Sequence, residues 1–211
     1  MIPRYYTDIV EISFVLYDEP TAGKFSDIAY TNFIDAALYS GYIDICMKTG
    51  CAPGKFELIT VPGQVEYDYP SGCKVVKLVR WRTNAGMKLE RISPNHVERL
   101  IYGTPEAYYV TPDKIGILKV PSQIYTLDID GYRGPEKPFE DRNEEPELIP
   151  MEYRIVLAYY LCREYARVDK KAVRAEPGSF EKWWATYKTA LEEMAEALHE
   201  GRSDDTYCGV M

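Results

Sequence analysis

Two histidines, five cysteines and one acidic cluster are the residues of this chain best suited to chemistry, and their spacing builds no evident reactive centre. Neither His96 nor His199 has a Cys, Asp or His neighbour at metal-ligand spacing. His199 falls near the end of a helical pattern, where the helix dipole favours a cation. Cys46 and Cys51 straddle a helix end and a loop without the two further ligands of a zinc site. With Cys73, Cys162 and Cys208 they form an odd, scattered set, which reads as reduced thiols. Glu140, Asp141, Glu144, Glu145 and Glu147 could offer carboxylate oxygens to a hard cation. Glu140, Asp141 and Glu144 therefore carry the one enzymatic alternative, a metal-dependent hydrolase or nuclease. No glycine-punctuated loop preorganises them, so a solvated acidic loop is the expected state. The glycines fall at turns or in strands, never as GxGxxG or a P-loop, so no nucleotide, metal or other cofactor is expected.

The elements around these residues run helices, strands, helices. Residues 7–17 read as a short helix capped by Thr7 or Asp8, with Ile9, Ile12, Phe14, Val15 and Leu16 on its apolar side. A second helix is expected from a Ser26 cap to Gly50, which suits a left-handed C-terminal cap. Its apolar positions are Ile28, Phe33, Ala36, Ala37, Tyr39, Tyr42, Ile43 and Cys46, with a kink possible at Gly41. From Phe56 the period changes to two. Two short strands meet at Pro62-Gly63, and a longer strand, 74–82, turns at 83–86 into a returning segment, 87–92. Ser93-Pro94 opens a short helix closed by Gly103-Thr104-Pro105, and strands follow at 107–110, 114–120 and 125–132. The stretch 136–147 is acidic, proline-broken and expected to have little core.

A helix over 151–166 buries Ile155, Val156, Tyr159 and Cys162 and turns Arg163, Glu164 and Arg167 outward. The last helix is capped by Ser179 and carries Phe180, Trp183, Trp184, Tyr187, Leu191, Met194 and Leu198 at spacings of three and four. Trp183 and Trp184 point about 100° apart, so one enters the core and the other lies nearer its edge. A core role explains both; a subunit contact explains one, and Trp184 is the candidate. The fold class is α+β, a discontinuous helical bundle of N- and C-terminal helices with an inserted antiparallel β domain. The boundaries are 1–54 and 148–199 for the bundle, 55–135 for the β domain, 136–147 for the acidic loop and 200–211 for a flexible tail.

Composition narrows function further. A net charge of −8 argues against gripping nucleic acid through its phosphates but suits a wall that DNA slides past. The 19 tyrosines against 6 phenylalanines fit either surfaces buried in a complex or residues rimming the sheets. Asp8 and Glu11 interrupt the N-terminal apolar stretch, and no run approaches the roughly 20 apolar residues of a membrane span, so a soluble protein made in the cytoplasm is expected.

The order of short motifs carries a resemblance. Phe25-Ser26-Asp27 and Lys48-Thr49-Gly50 bracket a helix; Val61-Pro62-Gly63, Glu66-Tyr67-Asp68-Tyr69-Pro70 and Val75–Trp81 follow. Gly103-Thr104-Pro105, Tyr108-Tyr109, Lys114–Pro121 and Glu145-Pro146-Glu147-Leu148-Ile149-Pro150 complete the set, with Tyr153 and Tyr159-Tyr160. Over roughly 25–200 the chain resembles the head-to-tail adaptor (connector) proteins of tailed bacteriophages. The resemblance implies a structural virion protein in the phage neck, a homo-oligomeric ring of about twelve copies joining the portal protein to tail or nozzle proteins. Double-stranded DNA would pass through its channel without sequence-specific binding, and no membrane is involved. It also implies a terminal segment that clasps the portal, for which Tyr207, Val210 and Met211 are the apolar anchors. Trp184 and the loop residues Glu140, Asp141, Glu144 and Glu145 are candidates for ring or lumen contacts. A different ring of the same virion, a neck, head-completion or tail-tube protein, remains the alternative within this class.

Overall fold

A computed structural model describes residues 2–17, 28–83, 86–96, 101–171 and 179–204. It is mixed α+β, and its chain forms two compact units, Met1–Ala52 with Gly134–Met211, and Pro53–Arg133. No helix among the described residues is long and apolar enough to cross a membrane.

The helical unit holds α1 (Tyr6–Tyr17), α2 (Ile28–Thr49), α3 (Ile155–Lys171) and α4 (Ser179–Asp204), with a 3-10 turn, Met151–Tyr153, before α3. Helix α3 is the hub, touching α1, α2 and α4. It is buried on nearly all sides, so the expected outward face holds for Arg167 but is corrected at Arg163, which is half-buried, and at Glu164, which is only 5 % exposed. Glu164 stays inside because Arg163 donates to it at 3.0 and 2.6 Å and Arg167 pairs with it at 2.5 Å.

Helix α1 starts one residue earlier than expected and is capped differently. The Asp8 carboxylate, in the first turn, accepts the N–H groups of Arg4 (2.9 Å) and Tyr5 (3.0 Å), the reciprocal half of a capping box. Ile9, Val10 and Phe14 fill the core, whereas Val15 and Leu16 are exposed. Ser13 takes an inward position and donates its hydroxyl to the Val10 carbonyl at 2.7 Å.

The Ser26 cap of α2 lies outside the described residues. The helix ends as expected: Gly50 has φ +62° and donates its N–H to the Cys46 carbonyl at 3.1 Å. The buried stripe is Ile34, Ala37, Leu38, Tyr42, Ile45 and Cys46, one notch round from the expected one, since Ala36 is exposed and Phe33 and Ile43 are half-buried. Apolar residues surround α2, so the packing against α3 chooses the face. At Gly41 the Tyr160 ring lies 2.7 Å from where a Cβ would stand, which accounts for a glycine inside a helix. In α4, Trp183, Tyr187, Leu191 and Met194 are buried along the expected stripe. Ser179 is the first helical residue, and its hydroxyl is buried without a hydrogen-bond partner among the described residues, so the expected cap is corrected.

The described residues of the β unit form three sheets. One has the order β1 (Pro53–Ile59), β9 (Thr126–Arg133), β3 (Cys73–Trp81). The second runs β2 (Glu66–Asp68), β7 (Lys114–Leu118), β6 (Ala107–Val110), β4 (Glu90–Arg91), and the third pairs β5 (Tyr102–Gly103) with β8 (Val120–Pro121). The long pairs are antiparallel, but β4–β6 and β5–β8 are parallel, which corrects a purely antiparallel domain.

The strands that meet at Pro62-Gly63 are no hairpin: β1 pairs with β9 and β2 with β7. The turn carries the chain from one sheet to the next, with Gly63 at φ +82°. The Tyr67 hydroxyl pins it by donating to the Gln64 carbonyl at 2.9 Å and accepting the Val61 N–H at 3.1 Å. The segment after β3 does return beside it, through Trp81 N–H to Met87 O and Leu89 N–H to Val79 O, both 2.9 Å, before β4 joins the second sheet. The described part of the expected helix from Ser93 is a 3-10 turn, Pro94–His96; residues 97–100 lie outside the described residues, and Tyr102–Gly103 is strand. Two sheets share one core, with Leu58, Val79, Leu127 and Ile129 from the first and Ile115 and Ile117 from the second.

Candidate docking features

The acidic stretch 136–147 is no free arm. Tyr6 and Thr7, at the start of α1, donate their N–H groups to the Glu144 (3.0 Å) and Arg142 (3.1 Å) carbonyls, and the Thr7 hydroxyl adds a 2.8 Å bond to Arg142. Phe139, in the middle of the charged run, stacks on Tyr42 at 5.6 Å between ring centres and meets Tyr6 edge-on. The Tyr42 hydroxyl accepts the Leu148 N–H at 2.8 Å. The segment has no helix or strand and most of it is exposed, so its share of the core is little beyond Phe139 and Pro146, but these contacts tie it to the helical unit. Aromatic burial and the orphan N–H groups of a helix start hold the segment down.

Arg154 is the centre of this arrangement. Only 6 % exposed, it donates from Nη1 to the Arg4 carbonyl (2.8 Å) and Glu145 Oε2 (3.0 Å), and from Nε to the Ile149 carbonyl (3.3 Å). Glu145 Oε1 also accepts Arg4 Nε at 2.9 Å. The Arg4 and then the Arg154 hydrogen bonds hold the Glu145 carboxyl below its ordinary value, because both favour the charged form. One guanidinium thus ties the N-terminal segment, the acidic stretch and the start of α3. Its sequence signal was faint, a lone arginine entering an apolar helix.

Several of the candidate cation ligands bond to neighbours within the segment. Glu144 Oε2 accepts the Glu140 N–H at 2.8 Å and the Asp141 N–H at 3.5 Å; Asp141 accepts the Asn143 N–H at 2.9 Å; Glu140 pairs with Lys137 at 2.8 Å. Among the described residues no three His, Cys, Asp or Glu side chains are grouped to hold a metal ion.

Trp183 and Trp184 separate as expected: Trp183 is buried against Cys162 and Ala166, while Trp184 is 43 % exposed. The exposed indole lies 5.0 Å from the Arg163 guanidinium, which also stacks on Tyr160 (4.0 Å) and Tyr187 (5.2 Å). Beside it a groove of about 260 Å³ is lined by Lys48, Tyr187, Lys188 and Leu191. Tyr187 donates to Asp44 at 2.6 Å, and burial followed by this bond pushes its phenol far up. Tyr6 likewise donates to Asp35 and is raised by burial first. In the β unit Tyr109 donates to Glu66 at 2.9 Å and is pushed up to about 12 by burial and that carboxylate. These phenols stay protonated at neutral pH and act as donors within the chain, so they are neither bases nor nucleophiles. Tyr207, Val210 and Met211 lie outside the described residues.

The outer face of the β1–β9–β3 sheet is laced with charge. Arg82 pairs with Asp128 at 2.6 Å and with Glu57, and Arg80 pairs with Asp130. Lys55 stands opposite Asp130 in the β1–β9 register.

A folded scaffold with its polar groups engaged internally is what these features define. The sequence profile of the SU10 adaptor protein family matches residues 24–207, and the chain belongs to that family of phage head-to-tail adaptors. The match spans both compact units and leaves out α1, although α1 supplies Ile9, Val10 and Phe14 to the helical core. No curated protein matches the chain significantly.

Proposed function

We propose that the protein is the structural ring of a phage neck, joining the portal to tail or nozzle proteins and continuing the DNA channel. The family match across residues 24–207 carries this reading. Homo-oligomerisation into a closed ring of about twelve copies would follow recruitment to the portal, with a monomer beforehand. The discontinuous helical bundle, 1–54 with 148–199, is the adaptor domain, and the inserted β domain, 55–135, faces tail components or the neighbouring subunit. Trp184 and its groove supply a ring contact, because a half-exposed indole over a guanidinium is the kind of anchor that interface centres use. Glu140, Asp141, Glu144 and Glu145 lie at a subunit boundary or the lumen, where negative charge keeps DNA from sticking. The 200–211 tail engages the portal through Tyr207, Val210 and Met211.

Capture of the chain by purified portal rings tests this reading. Retention of full-length protein supports it; no retention at micromolar concentration refutes it. Deleting 200–211 should abolish capture, and unchanged capture removes the tail from the account. Mapping 136–147 to the outer surface of an assembled neck would refute the lumen assignment.

A further inference from the structure

The turn that ends α2 brings two sulfur atoms together. Gly50 occupies the left-handed position after the helix and returns its N–H to the Cys46 carbonyl. In this kind of stop, the residue after the glycine packs back on the residue three places inside the helix end, and the contact is ordinarily apolar. Here those residues are Cys51 and Cys46, and their Sγ atoms are 3.7 Å apart. Closing to a disulfide bond of about 2.05 Å brings the two sulfur atoms together by a further ~1.7 Å. Cys46 is fully buried and Cys51 only partly so, and neither is in a disulfide.

We propose that Cys46 and Cys51 are a dithiol pair that low-molecular-weight disulfides oxidise to an intramolecular disulfide, clamping the last turn of α2 to the segment that leads out of the helical unit. Cys51, the more exposed thiol, attacks as its thiolate on one sulfur of the oxidant. The oxidant's S–S bond breaks, its other sulfur leaves as a thiolate, and a mixed disulfide forms on Cys51. Cys46 then passes its proton to the thiolate released in the first step and attacks Cys51 Sγ as a thiolate, expelling the oxidant's second sulfur. Two protein thiols lose two electrons, and one disulfide becomes two thiols. Cys46 is the resolving partner: its hydrogen bond with Cys51 and its burial both raise its pKa, so it is held protonated until the mixed disulfide is in reach. The clamp would join Cys51 to Cys46 two residues before the chain passes at Pro53 into the β unit. The proposal rests on the capping geometry and stands whether or not the adaptor reading holds.

The test is glutathione disulfide added to the folded full-length protein, followed by alkylation and tryptic mass mapping. Lys48 lies between the two cysteines, so the disulfide joins two separate peptides, 25–48 and 49–55. The expected product is that linked pair in most of the protein, lost on reduction. Cys46→Ala should instead accumulate glutathione on Cys51. Cys51→Ala should leave Cys46 unmodified while the protein is folded. Wild-type thiols that stay free, a stable glutathione adduct on wild-type Cys51, or pairing of Cys51 with another cysteine such as Cys208 or with a second chain would overturn the proposal.

Discussion

In the helical unit the decisive charges are inside. Arg154 and Glu164 are buried, and each is matched by a carboxylate, a guanidinium or a carbonyl oxygen within hydrogen-bonding distance. In the β unit the comparable charges stand on an open sheet face: Arg82 and its partners Glu57 and Asp128 are all more than a third exposed. The same ion-pair chemistry therefore has different consequences. A buried guanidinium leaves its carbonyl and carboxylate partners unsatisfied when it is removed, whereas water replaces an exposed one. The helical unit uses charge to hold segments distant in sequence; the β unit uses it to keep a sheet face wet.

Arg154→Met breaks this comparison most sharply if it fails. It should cost about 3 kcal/mol in urea unfolding, since it strips partners from Glu145 and from the Arg4 and Ile149 carbonyls. Next come the glycines that lie under tyrosine rings in each unit. A Cβ on Gly116 would stand 2.0 Å from the Tyr109 ring, and one on Gly41 would stand 2.7 Å from the Tyr160 ring. Each alanine variant should lose about 1–3 kcal/mol by overpacking, although Ala at position 41 would gain about 1 kcal/mol of helix propensity. A stabilised Gly41→Ala protein would mean that the Tyr160 ring moves freely, and crystallography or thermal melts would show it.

The third effect is a pH dependence. Glu145 has a depressed folded value against an ordinary 4.5, so its stabilisation is fully present above that ordinary value. It is lost as pH falls through the folded value. Glu145→Gln should be less stable than wild type at neutral pH, and the two unfolding midpoints should converge under acid; a constant gap from neutrality to strong acid contradicts the pairing. The smallest effect belongs to Arg82→Ala on the β-unit face, a slight loss that shrinks with salt. A loss there equal to that of Arg154→Met would dissolve the distinction between the two units.

Local signals in the sequence were readable where a short rule decides the outcome. Gly50 ended α2, Trp183 and Trp184 divided between core and surface, and the period-two stretches became β1, β2, β3 and β9. Partners far along the chain were not readable. Nothing local tells β1 to seek β9, some 70 residues away, in place of the nearby β2. Nor does an acidic run announce that its one aromatic, Phe139, is stacked on Tyr42. Glu164 reads as a surface residue until Arg163 and Arg167 close on it. Of the candidate contacts, helical spacing alone separated Trp183 from Trp184 without saying which is exposed, whereas Arg154 became visible only once α1, the acidic segment and α3 were assembled around it.

The central claim is that this chain is an adaptor ring recruited by a portal. Native mass spectrometry of the purified protein, alone and mixed with portal rings, tests it directly. The account predicts a 24.3 kDa monomer alone and, with the portal, a single complex carrying a closed ring of about twelve copies. A chain that remains monomeric beside the portal, or that binds it in scattered substoichiometric numbers, would contradict the account.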